Sequence, residues 1–347
     1  MAKKINKTVF VGVSGGVDSS VSAALLKEQG YNVVGVFIRT WQPDFIECTW
    51  RDERRDAMRV CAHLDIPFLE CDAEKAYKKG VADYMIEEYK KGNTPNPDVM
   101  CNREVKFGVF WDFAKAHGAD YIATGHYAQN IKNELYKSKD ASKDQSYFLW
   151  TLTKGDLVHT LFPIGHLDKK QVRKLAEKYK LPTATKKDSQ GVCFLGLLDM
   201  KEFLGHYIKP KKGNVLNEKR EIIGHHDGAL FFTVGERHGF TITKQKENSN
   251  PLYVVAKDLK NNTITVSETV NKNSHNKKTF EIKNINWISV ASKLNKKYTA
   301  QIRYHGEQLS CTIKDNTVSF EKPILVSPGQ SIVVYDKDVC IGGGVVI

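Results

Sequence analysis

None of the seven cysteines, at 48, 61, 71, 101, 193, 311 and 340, forms a Cys-x-x-Cys pair, which argues against structural zinc. The chain has no Gly-Lys-Ser/Thr, so the Walker loop that transfers a terminal phosphate is excluded. It has no Gly-x-Gly-x-x-Gly, so the dinucleotide fingerprint is excluded as well. No apolar run approaches the length of a membrane span. The basic start, Met-Ala-Lys-Lys-Ile-Asn-Lys, leads into a strand instead of a signal-peptide core, and the expected location is the cytoplasm. In that reducing compartment the cysteines are free thiols, most of them buried and inert. Acidic residues are in deficit: 40 Asp and Glu against 52 Lys and Arg leave a net charge of +12. That excess favours a polyanionic partner such as nucleic acid, although a Lys- and Asn-rich composition with no binding role gives the same sum.

What is present begins at residue 8. An apolar, β-branched run reads as a buried strand, and 17–29 reads as a helix. Between them lies Gly12-Val13-Ser14-Gly15-Gly16-Val17-Asp18-Ser19. A strand that feeds a helix through small residues aims several N–H groups and the positive helix end at one spot, where a phosphate fits. Asp18 is placed either to cap the helix or to help hold a magnesium ion carried by that phosphate. The string resembles the pyrophosphate loop of ATP pyrophosphatases, which cleave ATP to AMP and pyrophosphate. It does not by itself separate ligases, amidotransferases and tRNA-modifying enzymes.

Residues 8 to about 125 alternate strand and helix, which predicts a doubly wound α/β domain with ligands beyond the C-terminal strand ends. Gly92-Asn93-Thr94-Pro95-Asn96-Pro97 stops one helix, and the next is expected over 102–117. The stretch 130–145 is polar and Lys-rich, and 167–179 is a helix led by Asp168. Beyond 214 helical periodicity vanishes and short β-type runs alternate with Asn- and Lys-rich turns. The expected division is a catalytic domain over 1–212, a small β-rich domain over 213–278 and a β-barrel over 279–347.

Two cysteines stand apart. Cys101 follows Asn96-Pro97-Asp98 and is expected at a helix N-terminus near Arg103 and Lys106, where the helix field and the cations favour a thiolate. Asp98, three residues earlier, either joins the chemistry or caps the helix over a packed Cys101. Cys193 lies in Lys187-Asp188-Ser189-Gln190-Gly191-Val192-Cys193-Phe194, polar and too small for a core. Cys48, Cys61, Cys71, Cys311 and Cys340 read as packing residues. An ATP-to-AMP loop with two separated thiols makes one coherent chemistry. A carbonyl oxygen becomes a leaving group once adenylated, one thiol delivers sulfur as a persulfide, and the second resolves the intermediate as a disulfide.

At this point the chain resembles the bacterial tRNA-specific 2-thiouridylases almost end to end. The markers are Gly12 to Ser20, Thr94 to Phe107, Gly118 to Tyr127, Lys143 to Phe148, Phe162 to Gly165, Lys187 to Phe194, Pro328-Gly329-Gln330 and Gly342-Gly343-Gly344. The resemblance implies that Gly12, Val13, Ser14, Gly15, Gly16, Val17, Asp18 and Ser19 bind ATP, with Ile38 and Gly125 lining the nucleotide pocket. It implies that Asn96, Pro97 and Asp98 meet the target base, that Cys101 is nucleophile or resolving thiol, and that Cys193 carries the persulfide. His126, Lys143, Asp144, Gln145, Arg303, Tyr304 and Gln330 match positions that touch tRNA. The implied cofactors are ATP and magnesium brought with it, with no metal site of the protein's own. The implied partners are the tRNAs for lysine, glutamate and glutamine and a cysteine desulfurase or sulfur-relay protein, with no membrane and a monomer when free. Ile38 stands where methionine is usual, and Gln190 where threonine is common; neither change removes a reacting group. A nucleotide-activating ligase or amidotransferase shares the loop but needs no thiol pair, and no separate glutaminase pattern is present. An RNA-binding module accounts for charge and barrel but leaves the loop unused, and a structural role accounts for none of the clustered motifs.

Overall fold

The computed structural model describes residues 5–46, 50–187, 200–243, 250–269, 275–289 and 296–347. Cys48 and Cys193 lie outside the described residues. The described residues build three sheets.

The first is parallel throughout: β1 (Thr8–Gly12), β2 (Asn32–Arg39), β3 (Phe68–Asp72), β4 (Tyr121–Ala123) and, past an intervening hairpin, β7 (Thr160–Leu161). Their order is β3-β2-β1-β4-β7, so the chain winds outward from β1 in both directions. β1 is central, and Val9 and Val11 are fully buried, which is why it reads as a continuous apolar run. Helix α1 (Val17–Glu28) follows β1, and α2 (Trp50–His63) packs its Ala57, Val60 and Cys61 into the core beneath α1 and the sheet. The helical run through Glu74–Tyr77, Lys78–Asp83 and Tyr84–Lys90 widens to π-winding in its middle segment. The next run, Pro97–Cys101, Asn102–Val109 and Phe110–Ala116, does the same.

The polar stretch at 130–145 is not a plain loop. It contains the hairpin β5 (Ala128–Ile131) and β6 (Glu134–Lys137), turning on Lys132 and Asn133, both at positive φ. Alternation was hidden because the hairpin has little apolar content: only Ala128 and Leu135 are buried. The hairpin leaves its own domain and pairs with the last strand of the chain, Tyr136 opposite Val339.

The middle sheet comprises β8 (Gly213–Leu216), β9 (Ile222–His226), β10 (Phe240–Ile242), β11 (Tyr253–Asp258) and β12 (Thr263–Ser267), in the order β10-β9-β8-β12-β11. The last six strands are β13 (Lys277–Trp287), β14 (Tyr298–Gln301), β15 (Leu309–Lys314), β16 (Thr317–Ile324), β17 (Ser331–Asp336) and β18 (Val339–Val346). They run β13-β16-β15-β14-β17-β18, and β18 pairs back onto β13, closing the barrel. The main core does not respect the domain limits: Val333, Tyr335 and Cys340 of the barrel share one buried cluster with Ile38, Cys101, Phe110 and Trp150. The barrel is therefore seated on the catalytic unit through apolar burial, at roughly 25 cal/mol for each Å² removed from water.

Candidate active site

The turn after β1 is built by small residues pressed between two helices. Gly15 has φ +71°, and a Cβ there would lie 2.6 Å from the Glu53 carbonyl oxygen and 2.9 Å from the Asp56 Cβ, so only glycine fits against α2. Gly16 is the N-cap of α1 and supplies no side-chain cap. Ser19 Oγ accepts from the Ser14 N–H at 3.3 Å and donates to the Gly16 carbonyl at 3.2 Å, fixing the curl of the loop, while the Ser14 residue itself is exposed. Gly125, in the loop leaving β4, approaches so closely that a Cβ would stand 2.7 Å from the Ser19 N atom. Gly12 faces Ile38, with 3.6 Å from the position of an added Cβ to the Ile38 Cδ1. Gly12, Ser19, Ile38 and Gly125 thus meet at the C-terminal edge of the parallel sheet. A turn of small residues at the N-terminal end of α1 suits a pyrophosphate, and the residues present fit Mg-ATP on that ground.

Asp18 does not cap α1. Its carboxylate lies 2.8 and 2.9 Å from the Lys169 Nζ and accepts from the Tyr127 hydroxyl at 2.8 Å. Lys169 comes from the first turn of helix Lys169–Lys178, capped by Asp168 in a reciprocal pair with Gln171. Sequence reasoning missed Lys169. The available signal was a lysine at the first position of a helix, where the dipole disfavours positive charge and a compensating anion is expected.

The segment leading toward Cys193 is tied down here. Thr183 is 2% exposed and donates to Ser20 Oγ at 3.0 Å, Arg173 donates to the Ala184 carbonyl at 3.0 Å, and Lys186 pairs with Asp56 at 2.8 Å. Glu53, beside Lys186 and Asp56, has its carboxyl pushed up chiefly by burial, with Lys186 opposing.

The second constellation surrounds Cys101. The helix begins at Pro97, not Asn102: Asn96 is its N-cap, accepting from the Asp98 and Val99 N–H groups at 3.1 and 3.3 Å, and proline holds the first helical position. Asn96 therefore takes the capping role considered for Asp98, and Asp98 lies in the first turn. Cys101 ends that short segment and is 1% exposed. Arg103 pairs with Glu104 at 2.7 Å. Asn102 donates to the Phe148 carbonyl at 3.2 Å.

The barrel braces this turn. Gln330 Nε2 donates to the Thr94 carbonyl at 2.7 Å, and the Thr94 N–H donates to the Pro328 carbonyl at 2.8 Å. Trp150 and Tyr147 both donate to Ser331, at 3.1 Å each. Tyr304 packs on Phe148 with ring centroids 4.4 Å apart, and its hydroxyl is pushed up to about 12 by burial, with Asp144 and Asp98 adding to the shift. Tyr304 thus reaches the neighbourhood of Asp98, while Arg303 beside it is exposed.

Three of the expected tRNA positions serve the fold in this structure. His126 is 7% exposed between Phe107 and Phe162, hydrogen-bonded to Thr124 at 2.7 Å, and burial drives its pKa well down, so it is neutral. Asp144 is buried and accepts from the Ser138 N–H and the Ser146 hydroxyl, both at 2.8 Å. Gln145 accepts from the Tyr127 N–H at 2.9 Å. Lys143 is half-buried at the edge of the same turn.

A parallel sheet whose central strand turns through glycines into a helix defines the doubly wound α/β class. Three family descriptions match in series: "tRNA methyl transferase HUP domain" over residues 7–197, "tRNA methyl transferase PRC-barrel domain" over 201–268 and "Aminomethyltransferase beta-barrel domain" over 277–346. The chain is 41% identical over 352 residues to the tRNA-specific 2-thiouridylase MnmA of Streptococcus thermophilus, covering 97% of this chain and 94% of that protein. It is 41% identical over 357 residues to the same enzyme of Francisella tularensis subsp. holarctica, covering 99% of each. The chain belongs to the tRNA-specific 2-thiouridylase family. Among solved structures, an NMN synthetase from Francisella tularensis overlaps 58% of this chain and 72% of its own, at 18% identity and a TM-score of 0.37.

Proposed function

We infer that this enzyme thiolates uridine 34 of tRNA, and that its two constellations divide the work between phosphate chemistry and base chemistry. The loop at 12–19 holds the ATP phosphates on its N–H groups, with Ile38 and Gly125 against the nucleoside. Magnesium, when bound, supplies charge neutralisation for the departing pyrophosphate. Asp18 is placed to face that ion, and Lys169, released from Asp18, to meet a phosphate oxygen. The Asn96-Pro97-Asp98 turn receives the uracil ring. O2 of the uracil attacks the α-phosphorus and pyrophosphate leaves; sulfur from the Cys193 persulfide then attacks C2, and AMP leaves. Cys101 closes the cycle by attacking the sulfur bridge at Cys193, releasing the thiolated base and leaving a Cys101–Cys193 disulfide.

The observation that carries this reading is the placement of Asp98 and Cys101 in one helix that also supplies Phe110 to the wall beside Gly12 and Ile38. Phosphate cradle and base turn are thereby two ends of one packed unit. Within the same reading, the catalytic domain spans 1–212, the central domain 213–278 and the barrel 279–347, although the 128–137 hairpin of the first joins the sheet of the third. The barrel and the turn at 143–145 form the tRNA side, with Arg303 one of several exposed cations on the barrel. Substrates are the lysine, glutamate and glutamine tRNAs, and the donor is a cysteine desulfurase or a relay protein. Among the described residues no helix is long and apolar enough to cross a membrane; the cytoplasm is the expected location.

The test is nucleoside analysis of tRNA after incubation with the protein, ATP, magnesium and a persulfide donor. The expected product is 2-thiouridine at position 34, with one pyrophosphate and one AMP formed for each sulfur inserted. Pyrophosphate release that does not depend on tRNA would instead favour another nucleotide-activating ligase.

A further inference from the structure

The residues just before the base-contacting turn are gripped from the central domain. Helix Tyr84–Lys90 ends at Gly92, whose φ of +81° lets its N–H return to the Tyr89 carbonyl at 2.8 Å while the Asn93 N–H reaches the Glu88 carbonyl at 2.9 Å. Lys257, at the end of β11, donates from its ammonium to the Gly92 carbonyl at 2.8 Å and to the Phe232 carbonyl at 2.7 Å. A cation at the carbonyl end of a helix is where the helix field is most favourable to it. Leu259, two residues on, packs against Gly92 so tightly that a Cβ on the glycine would strike its side chain. Thr233 and Thr94 bring their hydroxyls within 3.3 Å of each other. Gly92 and Thr94 are thus fixed from one side by Lys257, Leu259 and Thr233, and from the other by Pro328 and Gln330. Two residues later the chain is at Asn96.

We propose that Lys257 is a positioning residue for the uridine chemistry, setting from the central domain where the turn at 94–98 presents Asp98 and Cys101 to the bound base. This rests on the reading that Asn96, Pro97 and Asp98 meet the target base. Burial pushes the Lys257 ammonium down to about 8, with Glu236 the charged group opposing that shift. A solvent-facing lysine would hold a carbonyl at less desolvation cost, so the burial is spent on geometry. The central domain then acts as more than a spacer between catalytic unit and barrel.

The test compares the full-length wild type with Lys257→Met, Lys257→Arg and Thr233→Val. Displacing a reacting group by about an ångström costs on the order of 100-fold. Lys257→Met should lower the single-turnover rate of tRNA-dependent pyrophosphate release at saturating tRNA by roughly 10- to 100-fold. The tRNA dissociation constant should not move, and Lys257→Arg should recover most of the rate because it keeps the charge and two donors. Hydrogen–deuterium exchange of peptides covering 92–99 should quicken in Lys257→Met, while strands β8 and β9 keep their protection. If Lys257→Met loosens the whole central domain, Thr233→Val must show the local quickening and a smaller rate loss alone, or the proposal falls. A normal rate at saturating tRNA, or a loss confined to tRNA affinity, overturns it. Asp98→Asn is run beside these: wild-type rate in Asp98→Asn sinks the base-contact reading, whereas a slow Asp98→Asn with a normal Lys257→Met sinks only the role of Lys257.

Discussion

The turn at 12–19 and the turn at 94–98 both belong to the catalytic unit but are held by different kinds of neighbour. The first is fixed by its own βα unit and α2: Ser14 to Ser19, Ser20 to Gly16, Gly15 against Glu53 and Asp56. The second closes its own Asn96 cap onto Asp98 and Val99, but its Thr94 is held by Pro328 and Gln330 of the barrel and by Thr233 of the central domain, with Lys257 gripping Gly92 just before it. A local turn forms with its strand and helix, so its geometry is set early and cheaply. A turn at a three-way junction is correct only when all three domains are docked. On the proposed reading, ATP binding needs only the catalytic unit, while base chemistry needs all three domains docked.

The largest effect should come from a residue serving neither turn's shape. Cys193→Ser should abolish sulfur transfer while tRNA binding persists, because the persulfide carrier is lost and the anchored stretch at 183–187 is kept. Trapping labelled sulfur on wild type and variant decides it; equal label on both proteins would reject the assignment.

Next in size is the phosphate end. Lys169→Met removes the cation facing Asp18 and should slow pyrophosphate release by roughly 100-fold, the scale of one lost charge-stabilising donor. Asp18→Asn should slow it too, and raising magnesium should relieve Asp18→Asn but not Lys169→Met. Measuring release across magnesium concentrations separates them. Neither change should alter tRNA affinity, which would break the division of labour if it did.

How far each turn was legible follows from the same contrast. The loop at 12–19 could be read because its determinants are contiguous: an apolar strand, two glycines and a helix. The doubly wound α/β class could be read for the same reason, since parallel strands must be joined by crossovers. Lys169 is 151 residues from Asp18, and no periodicity links them. The hairpin at 128–137 was hidden because its apolar face is small and its pairing partner, Val339, comes at the far end of the chain. The helix start was misplaced at Asn102 because Asn96-Pro97 was read as a stop; the same pair is an N-cap followed by proline at the first helical position. The tRNA positions implied by resemblance include His126 and Asp144, which are buried here and hydrogen-bonded within the fold, a placement that no local sequence pattern announces.

A smaller effect is expected at the exposed side of the barrel. Arg303→Ala should weaken tRNA binding a fewfold and reduce the slope of log affinity against log salt by about one, the signature of a single lost phosphate contact. Filter binding at several salt concentrations reads both quantities. A loss that persists unchanged at high salt would mean that Arg303 acts through packing and not through phosphate.

The smallest effect is expected for the other cysteines, and it tests how the base turn guards Cys101. Cys61 and Cys71 are pushed up to about 11 by burial, and Cys311 and Cys340 to about 12. A thiol two or more units above its ordinary value has less than about one part in a hundred of the usual thiolate at mild pH. All four should therefore resist iodoacetamide at pH about 8 in the folded enzyme. Cys101 is as deeply enclosed as Cys61, each 1% exposed, so in the free enzyme it should resist alkylation too. The distinction should appear on turnover. Attack on Cys193 needs the two Cα atoms within roughly 7 Å of each other and a Cys101 thiol that is reached despite its burial. Peptide mass spectrometry after one turnover without reductant should find a Cys101–Cys193 disulfide, while Cys61, Cys71, Cys311 and Cys340 stay unmodified. If both thiols are free after one sulfur per protein has reached the RNA, Cys101 is not the resolving thiol. Its burial under the Asn96 cap would then serve to place the activated uridine, and both turns would be positioning devices.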